Sequence, residues 1–491
     1  MSTFHGLEMA KQALFAQQSA LYTTGHNISN ANTEGYTRQR VNFETLPAYP
    51  AGSRNRPQIP GQIGQGVQAG TVERIRDSFL DLQFRAENSK NGYWQTMADS
   101  LYRMESLLNE PSNSGLANTM DKLWQSLQDL GVNPDSSATR SVVVQRGQAV
   151  ADTFNYIRNN LEKMQSDTRK QIDVTIDDAN SILRRINDLN EQIKRVEPHG
   201  LLPNDLYDER DMLIDKLSGI VNIKVERVKS AESSLDIAGG LAKITLVNDD
   251  GTTVDLISPL DDPSYKQFYL DDTATDVNQI KIGVAGNYNE NFVASSTNGS
   301  LSSLLKVYGN QEVSFANVQE DMNKLAREFV DEFNRVHTLG FDFNGDPGQV
   351  FFEFDSQGNM VVSSAIVDNP NLIAASDDAN AKGNGKNALN LANVFENKLG
   401  GLDNTSIKDF FEGLIGRLGV AAQEANRMAA NTEVLKSQVE VQRMSVSSVS
   451  LDEEMTNMIR FQHAYNAAAR SMTAMDEILD KIINSMGIVG R

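Results

Sequence analysis

The 491-residue chain contains no cysteine, which removes disulfides, thiol nucleophiles and thiolate-bound zinc together. It is also short of bases: 45 Lys and Arg stand against 65 Asp and Glu, a formal net charge of -20. Such a deficit argues against nucleic acid and against an anionic membrane as partners, since both select for Lys and Arg. No run of about 18 apolar residues occurs, so no transmembrane helix is predicted. The opening MSTFHGLEMAKQALFAQQ lacks the basic start and apolar stretch of a cleaved secretory signal. A cytoplasmic protein fits these absences, as does one exported by a route that reads no cleaved signal.

Catalytic patterns are missing too. There is no GxSxG, no HExxH and no P-loop, and His5, His26, His199, His337 and His463 lie outside metal-ligand spacing of one another. In GQIGQGVQAG (61–70) the glycines at 64, 66 and 70 are spaced one residue too long for a dinucleotide loop, so a connector is expected. Neither a catalytic residue nor a cofactor is predicted. One metal-like pattern exists: Asp342, Asn344, Asp346 and Glu353 occupy positions 1, 3, 5 and 12 of a calcium loop. Position 6, which needs Gly for its sharp turn, is Pro347, and position 8, usually aliphatic, is Gln349. The competing expectation is a tight turn before a strand carrying Phe351 and Phe352.

What the chain does have is a seven-residue period at both ends. Leu7, Leu14, Leu21 and Ile28 mark a narrow helical stripe at the start. Leu451, Met458, Tyr465, Met472, Leu479 and Met486 mark a longer one at the end, with Glu454 interrupting the second seam position. A stripe of this kind needs a partner helix, because an isolated amphipathic helix is only marginally stable in water. These ten residues are the expected assembly interface. Residues 1–40 carry two acids and three bases and 451–491 six acids and four bases, so the acidic excess lies between two nearly neutral ends. Neutral ends suit packing against like copies, and an acidic middle suits a solvated exterior.

Between the stripes, helical spacing is predicted over 73–109, 115–130, 138–196 and 204–220, the last with Asn204 as N-cap, and again from 301. From Val221 the pattern alternates, and KITLVNDDGTTVDLI reads as strand, Asp250-Gly251 turn, strand. The expected fold is mainly α with an inserted β domain. Residues 1–45 with 441–491 form a terminal coiled-coil domain, 46–220 with 301–440 a helical-bundle body, and 221–300 a central β-rich outer domain. Both chain ends are thereby brought together, and NISNANTEGYTRQ (27–39), with one aliphatic side chain larger than Ala, falls where the terminal helix meets the body.

SNANTEGYTRQ behind a heptad helix resembles the N-terminal signature of the bacterial flagellar axial proteins, the family of rod, hook and hook-associated proteins. VERIRDSFLDLQFR resembles the continuation of that signature. NDLYDERDMLIDKLS (204–218), HTLGFDFNGDPGQVFF (337–352) and SSVSLDEEMTNMIRFQHAYNAAARSMTAMDEILDKIINSMGIV (447–489) resemble the members found at the hook–filament junction. The resemblance implies a structural protein exported unfolded by the flagellar type III apparatus, transiently cytoplasmic and then extracellular in the flagellum. It implies chain ends that are disordered in the free subunit and pair as helices in a tube of like copies. It further implies three partners: hook protein, a second hook-associated junction protein, and an export chaperone on the C-terminal helix. A cytoplasmic coiled-coil scaffold with an inserted β domain is the alternative reading.

Overall fold

The computed structural model describes residues 3–50, 61–108, 115–262, 264–270, 280–295, 297–310 and 313–485. In chain order, α1 (Thr3–Ser29) leads into an antiparallel hairpin of β1 (Gln39–Thr45) and β2 (Val67–Arg74), followed by α2 (Ser78–Leu108), α3 (Leu116–Val132) and α4 (Ser137–Val196). α5 (Asn204–Ile220) precedes six strands, β3 (Ile223–Val228), β4 (Leu241–Val247), β5 (Thr253–Ile257), β6 (Gln267–Leu270), β7 (Ile280–Val284) and β8 (Asn287–Asn291). Then come α6 (Ser300–Leu305), α7 (Phe315–Thr338), a small hairpin of β9 (Phe352–Phe354) and β10 (Met360–Val362), α8 (Ser364–Asp368) and α9 (Lys386–Asn393). Two long helices, α10 (Ile407–Ser447) and α11 (Leu451–Asp480), close the chain. The mainly helical fold with small central sheets agrees with the sequence reading.

Three local differences stand against the sequence reading. The helical spacing that starts at 73 gives way to β2, because VQAGTVER pairs antiparallel with QRVNFET through one register shift between Asn42 and Phe43, and α2 begins only at Ser78. Asn204 is no N-cap: Pro203 holds that position, while the Asn204 amide donates to Gln39 Oε1 and to the Val72 carbonyl. The C-terminal helix leaves α geometry after Asp480 and turns as a π-helix over Lys481–Ser485, and Met486 lies outside the described residues.

Two hydrophobic cores share one helix. The first packs α2, α3, the N-terminal half of α4, α7 and α10 around Phe154, Phe329, Phe333, Phe351 and Phe352. Here the loop-rich stretch after α7 is anchored, since Phe351 and Phe352 are buried and Asn334 Oδ1 accepts from both their amides. The second core joins Ile172, Ile176, Leu183 and Ile186 of α4 to Leu213 and Leu217 of α5, the inward faces of β4–β7, and α6. The strands form two antiparallel sheets, β3-β4-β5 and β6-β7-β8, linked where Ile257 bridges Tyr265. Strand alternation explains this: Phe268, Leu270, Ile280 and Ile282 face inward, and Tyr269 and Lys281 outward. The helices under the sheets supply half of that core.

Candidate assembly site at the base of the terminal helices

α1 and α11 pack side by side, Gly6 against Met475 at one end and Asn27 against Glu454 at the other, so they run antiparallel. The contact is thin. On α1 the buried residues are small or polar, Ala10, Ala16, Ala20, Thr24 and Asn27, while Leu7, Leu14, Leu21 and Ile28 are half-buried. On α11 only Glu454, Ala468 and Leu479 are buried; Met458 and Tyr465 are half-buried, and Leu451 and Met472 remain 48% and 36% exposed. Ile459, Ile478 and Ile482 are exposed as well. An alanine contact buries little apolar area at roughly 25 cal/mol per Å². The pair therefore leaves apolar surface along its whole length.

The segment Asn27–Gln39 is a polar joint. The buried Asn27 amide donates to the Gln39 carbonyl (2.8 Å) and to Glu454 Oε2 (3.0 Å), while its Oδ1 accepts from the Gln39 amide (3.0 Å) and the Tyr36 hydroxyl (2.8 Å). Burial, reinforced by Asp205, Asp208 and Glu454, pushes the Tyr36 phenol well above its ordinary range, so it stays a donor. Arg38 reaches Glu454 Oε1 at 3.0 Å and Glu453 Oε2 at 2.7 Å. Below, the Thr37 amide donates to Asp208 Oδ2 and the Gln39 side chain to Asp205 Oδ1. With one aliphatic residue larger than Ala, the stretch is completed by hydrogen bonds to two helices from elsewhere in the chain.

Those aspartates belong to a larger cluster. Asp205, Asp208, Asp211 and Asp215 lie three to four residues apart and so share one face of α5. Facing them are Arg74 at the end of β2, Arg76 after it, Arg85 on α2, Arg227 on β3 and Arg443 on α10. Asp211 has no exposed side-chain surface. Burial alone would raise its carboxyl, yet Arg76, Arg74, Arg210 and Arg85 together hold it below the usual carboxylate range. One ionised carboxylate thus fastens β2, α2 and β3 to α5. Residues 31–37, α2, α5 and the end of α10 also enclose a cleft of about 1120 Å³.

The calcium-loop residues form a different structure. Asp342 Oδ1 accepts from the amides of Asn344 (2.7 Å) and Asp346 (2.9 Å), closing a turn around Gly345 at φ +90°. Glu353 is exposed on β9. No cluster of three or more His, Asp or Glu residues placed to hold a metal occurs among the described residues. His337 is instead a structural residue: its ring contacts the Gln349 carbonyl through Nδ1 (2.5 Å) and accepts from the Ala374 amide at Nε2 (3.0 Å).

The sequence motifs that converge on this joint match known proteins. Residues 101–352 match the model of the flagellar hook-associated protein FlgK helical domain, residues 7–37 that of the flagella basal body rod protein, and residues 441–486 the C-terminal model of the basal body rod proteins FlgEFG. Flagellar hook-associated protein 1 of Bacillus subtilis is 44% identical over the whole of both chains. The Escherichia coli protein of the same name is 25% identical over 97% of this chain and 98% of its own. The structure of the flagellar hook junction protein FlgK from Burkholderia pseudomallei aligns with a TM-score of 0.59 at 15% identity, covering 74% of this chain and all of that one, which speaks to the fold.

Proposed function

The chain belongs to the flagellar hook-associated protein 1 family, and from that membership we propose that it is a structural protein of the bacterial flagellum forming the junction between hook and filament. Copies associate through the terminal helix pair into a tube, with the assembly face made by the half-buried and exposed members of the two heptad stripes. The observation that carries this reading is the apolar surface left on α1 and α11, from Phe15 and Tyr22 to Leu451, Met472 and Ile478. Apolar surface repeated along about 40 Å of helix is matched most simply by further copies of the same pair.

Hook protein lies on one side of such a junction and a second hook-associated protein on the other. Before export by the type III apparatus, a chaperone shields the C-terminal stripe. Large domains of this chain are acidic and lie outward, 221–300 among them, while the nearly neutral ends lie innermost. The alternative of a cytoplasmic scaffold lacks a family that supports it.

The test is addition of the purified chain to purified hooks, followed by electron microscopy of the hook ends and then by addition of the next junction protein and filament subunits. Extension of the hook tip by a short segment that seeds filament growth is the expected result. Self-association in solution with no affinity for hook ends would return the scaffold reading.

A further inference from the structure

The seam between α1 and α11 poses a register problem. Leu7, Leu14, Leu21 and Ile28 repeat at seven residues, as do Met458, Tyr465, Met472 and Leu479. Sliding one helix past the other by seven residues, about 10.5 Å, replaces each stripe residue by another apolar one. Small interhelical residues such as Ala10, Ala20 and Ala468 offer little steric resistance to such a shift. The apolar pattern alone therefore leaves neighbouring registers close in free energy.

Glu454 is the exception on the seam. It is 2% exposed and accepts from Asn27 Nδ2 and Arg38 Nε, both at 3.0 Å. Displacement by one heptad in one direction would bring this carboxylate opposite Ala20, which is itself 1% exposed. In the other direction it would pass beyond the end of α1 at Ser29, with Asn27 opposite Phe461. Each alternative strands a buried carboxylate, a buried amide or both, and unpaired buried charge is strongly disfavoured. Asn27 and Arg38 are in turn fixed to the body, through Gln39 on Asp205 and through Thr37 on Asp208.

From these contacts we infer that Asn27, Arg38 and Glu454 form a register latch, which selects one axial alignment of the terminal helices and indexes that alignment to the helical body. This inference concerns how one chain pairs its own ends, and it rests on the junction reading only for the assembled state in which they pair. The three are positioning residues: they make the repeat surface on the pair begin at a fixed height. A polar residue at one seam position is a known way for coiled helices to give up some stability in exchange for a unique register.

The absence of cysteine allows a direct test with paired cysteines in the full chain. Gly6→Cys with Met475→Cys reports the observed register, since a Cβ at residue 6 lies within 4 Å of the Met475 side chain. Gly6→Cys with Ala468→Cys, or with Ile482→Cys, reports a slip of one heptad either way. Each pair is cross-linked by a short bis-thiol reagent in chains assembled on purified hook ends, with assembly confirmed by electron microscopy, and the intramolecular product is quantified. In the native background the in-register product should exceed either slipped product at least tenfold. Replacing Asn27→Leu and Glu454→Leu together should bring the ratio towards one, whereas Glu454→Gln, which keeps an acceptor for Asn27, should retain most of the preference. Circular dichroism accompanies each variant to show that the helical content is kept. An unchanged ratio in the double Leu variant, comparable yields in the native background, or no product from any pair would each overturn the latch.

Discussion

Arg74 Nη1 lies 3.1 Å from Asp211 Oδ2, although 137 residues separate the two in sequence. The same guanidinium reaches Asp208 Oδ1 at 2.8 Å, so one side chain at the end of β2 holds two turns of α5. Replacing Asp211 by Ala would deprive Arg74, Arg76, Arg85 and Arg227 of the buried carboxylate they share. The expected loss is about 3–5 kcal/mol of folding stability, the range for removing one partner of a buried ion pair. Arg227→Ala, whose side chain is 37% exposed, should cost no more than about 1 kcal/mol. Urea unfolding of the two variants beside the parent chain measures both.

His337 gives a pH signature. Burial pushes its imidazole down to about 4, against an ordinary value near 6.5, with the Gln349 hydrogen bond and Arg140 as lesser influences. The neutral ring is the form that accepts from the Ala374 amide, so the folded chain resists protonation while the unfolded chain takes up a proton below about pH 6.5. Stability is therefore full above the unfolded value and declines as the pH falls from 6.5 towards 4, by about 3 kcal/mol in all. In His337→Asn, the difference in unfolding free energy between pH 7 and pH 4.5 should shrink by most of that amount. An identical difference in parent and variant would show that other groups govern the acid limb.

Tyr465→Asp with Met472→Asp places two carboxylates in the middle of the C-terminal stripe. In the single chain Tyr465 is half-buried and Met472 exposed, so the thermal midpoint should barely change. Buried against further copies, each unpaired carboxylate would cost several kcal/mol. Loss of hook capping with a retained midpoint is the expected result, scored by electron microscopy. Gln462→Ala with Arg470→Ala, on exposed positions of the same helix, serves as the control and should cap normally.

The β-rich segment cannot be excised as a separate ornament. Deleting 222–299 would uncover Ile172, Ile176, Leu183, Leu213 and Leu217, all buried against it. Aggregation or a large fall in stability is expected on gel filtration and thermal unfolding. By contrast, Tyr269→Ser with Tyr288→Ser removes only a stacked outward pair, with centroids 4.6 Å apart, and should cost about 1 kcal/mol.

Periodicity made most of the helices legible: the 60-residue α4 starts and ends within a residue of its predicted span, and the Asp250-Gly251 turn sits between β4 and β5. Side-chain spacing within one segment is a local property, and the sequence carries it openly. The β1–β2 hairpin was hidden because its strands pair across more than 20 intervening residues, far beyond the short loops whose sequences announce a hairpin. Likewise NDLYDERDMLIDKLS showed its helical period but not the purpose of its aspartates, whose arginine partners come from β2, α2, β3 and α10. Glu454 stood out only as a break in a stripe. Its meaning depends on Asn27, which lies 427 residues away.

α4 has a mechanical consequence. Its 60 residues extend about 90 Å as one uninterrupted helix, with Val150 and Phe154 in the first core and Ile176 and Leu183 in the second. Bending one core relative to the other would require breaking backbone hydrogen bonds in the middle of this shaft, where no proline or glycine offers a hinge. Rotation applied to one core is therefore carried to the other through a continuous helical shaft.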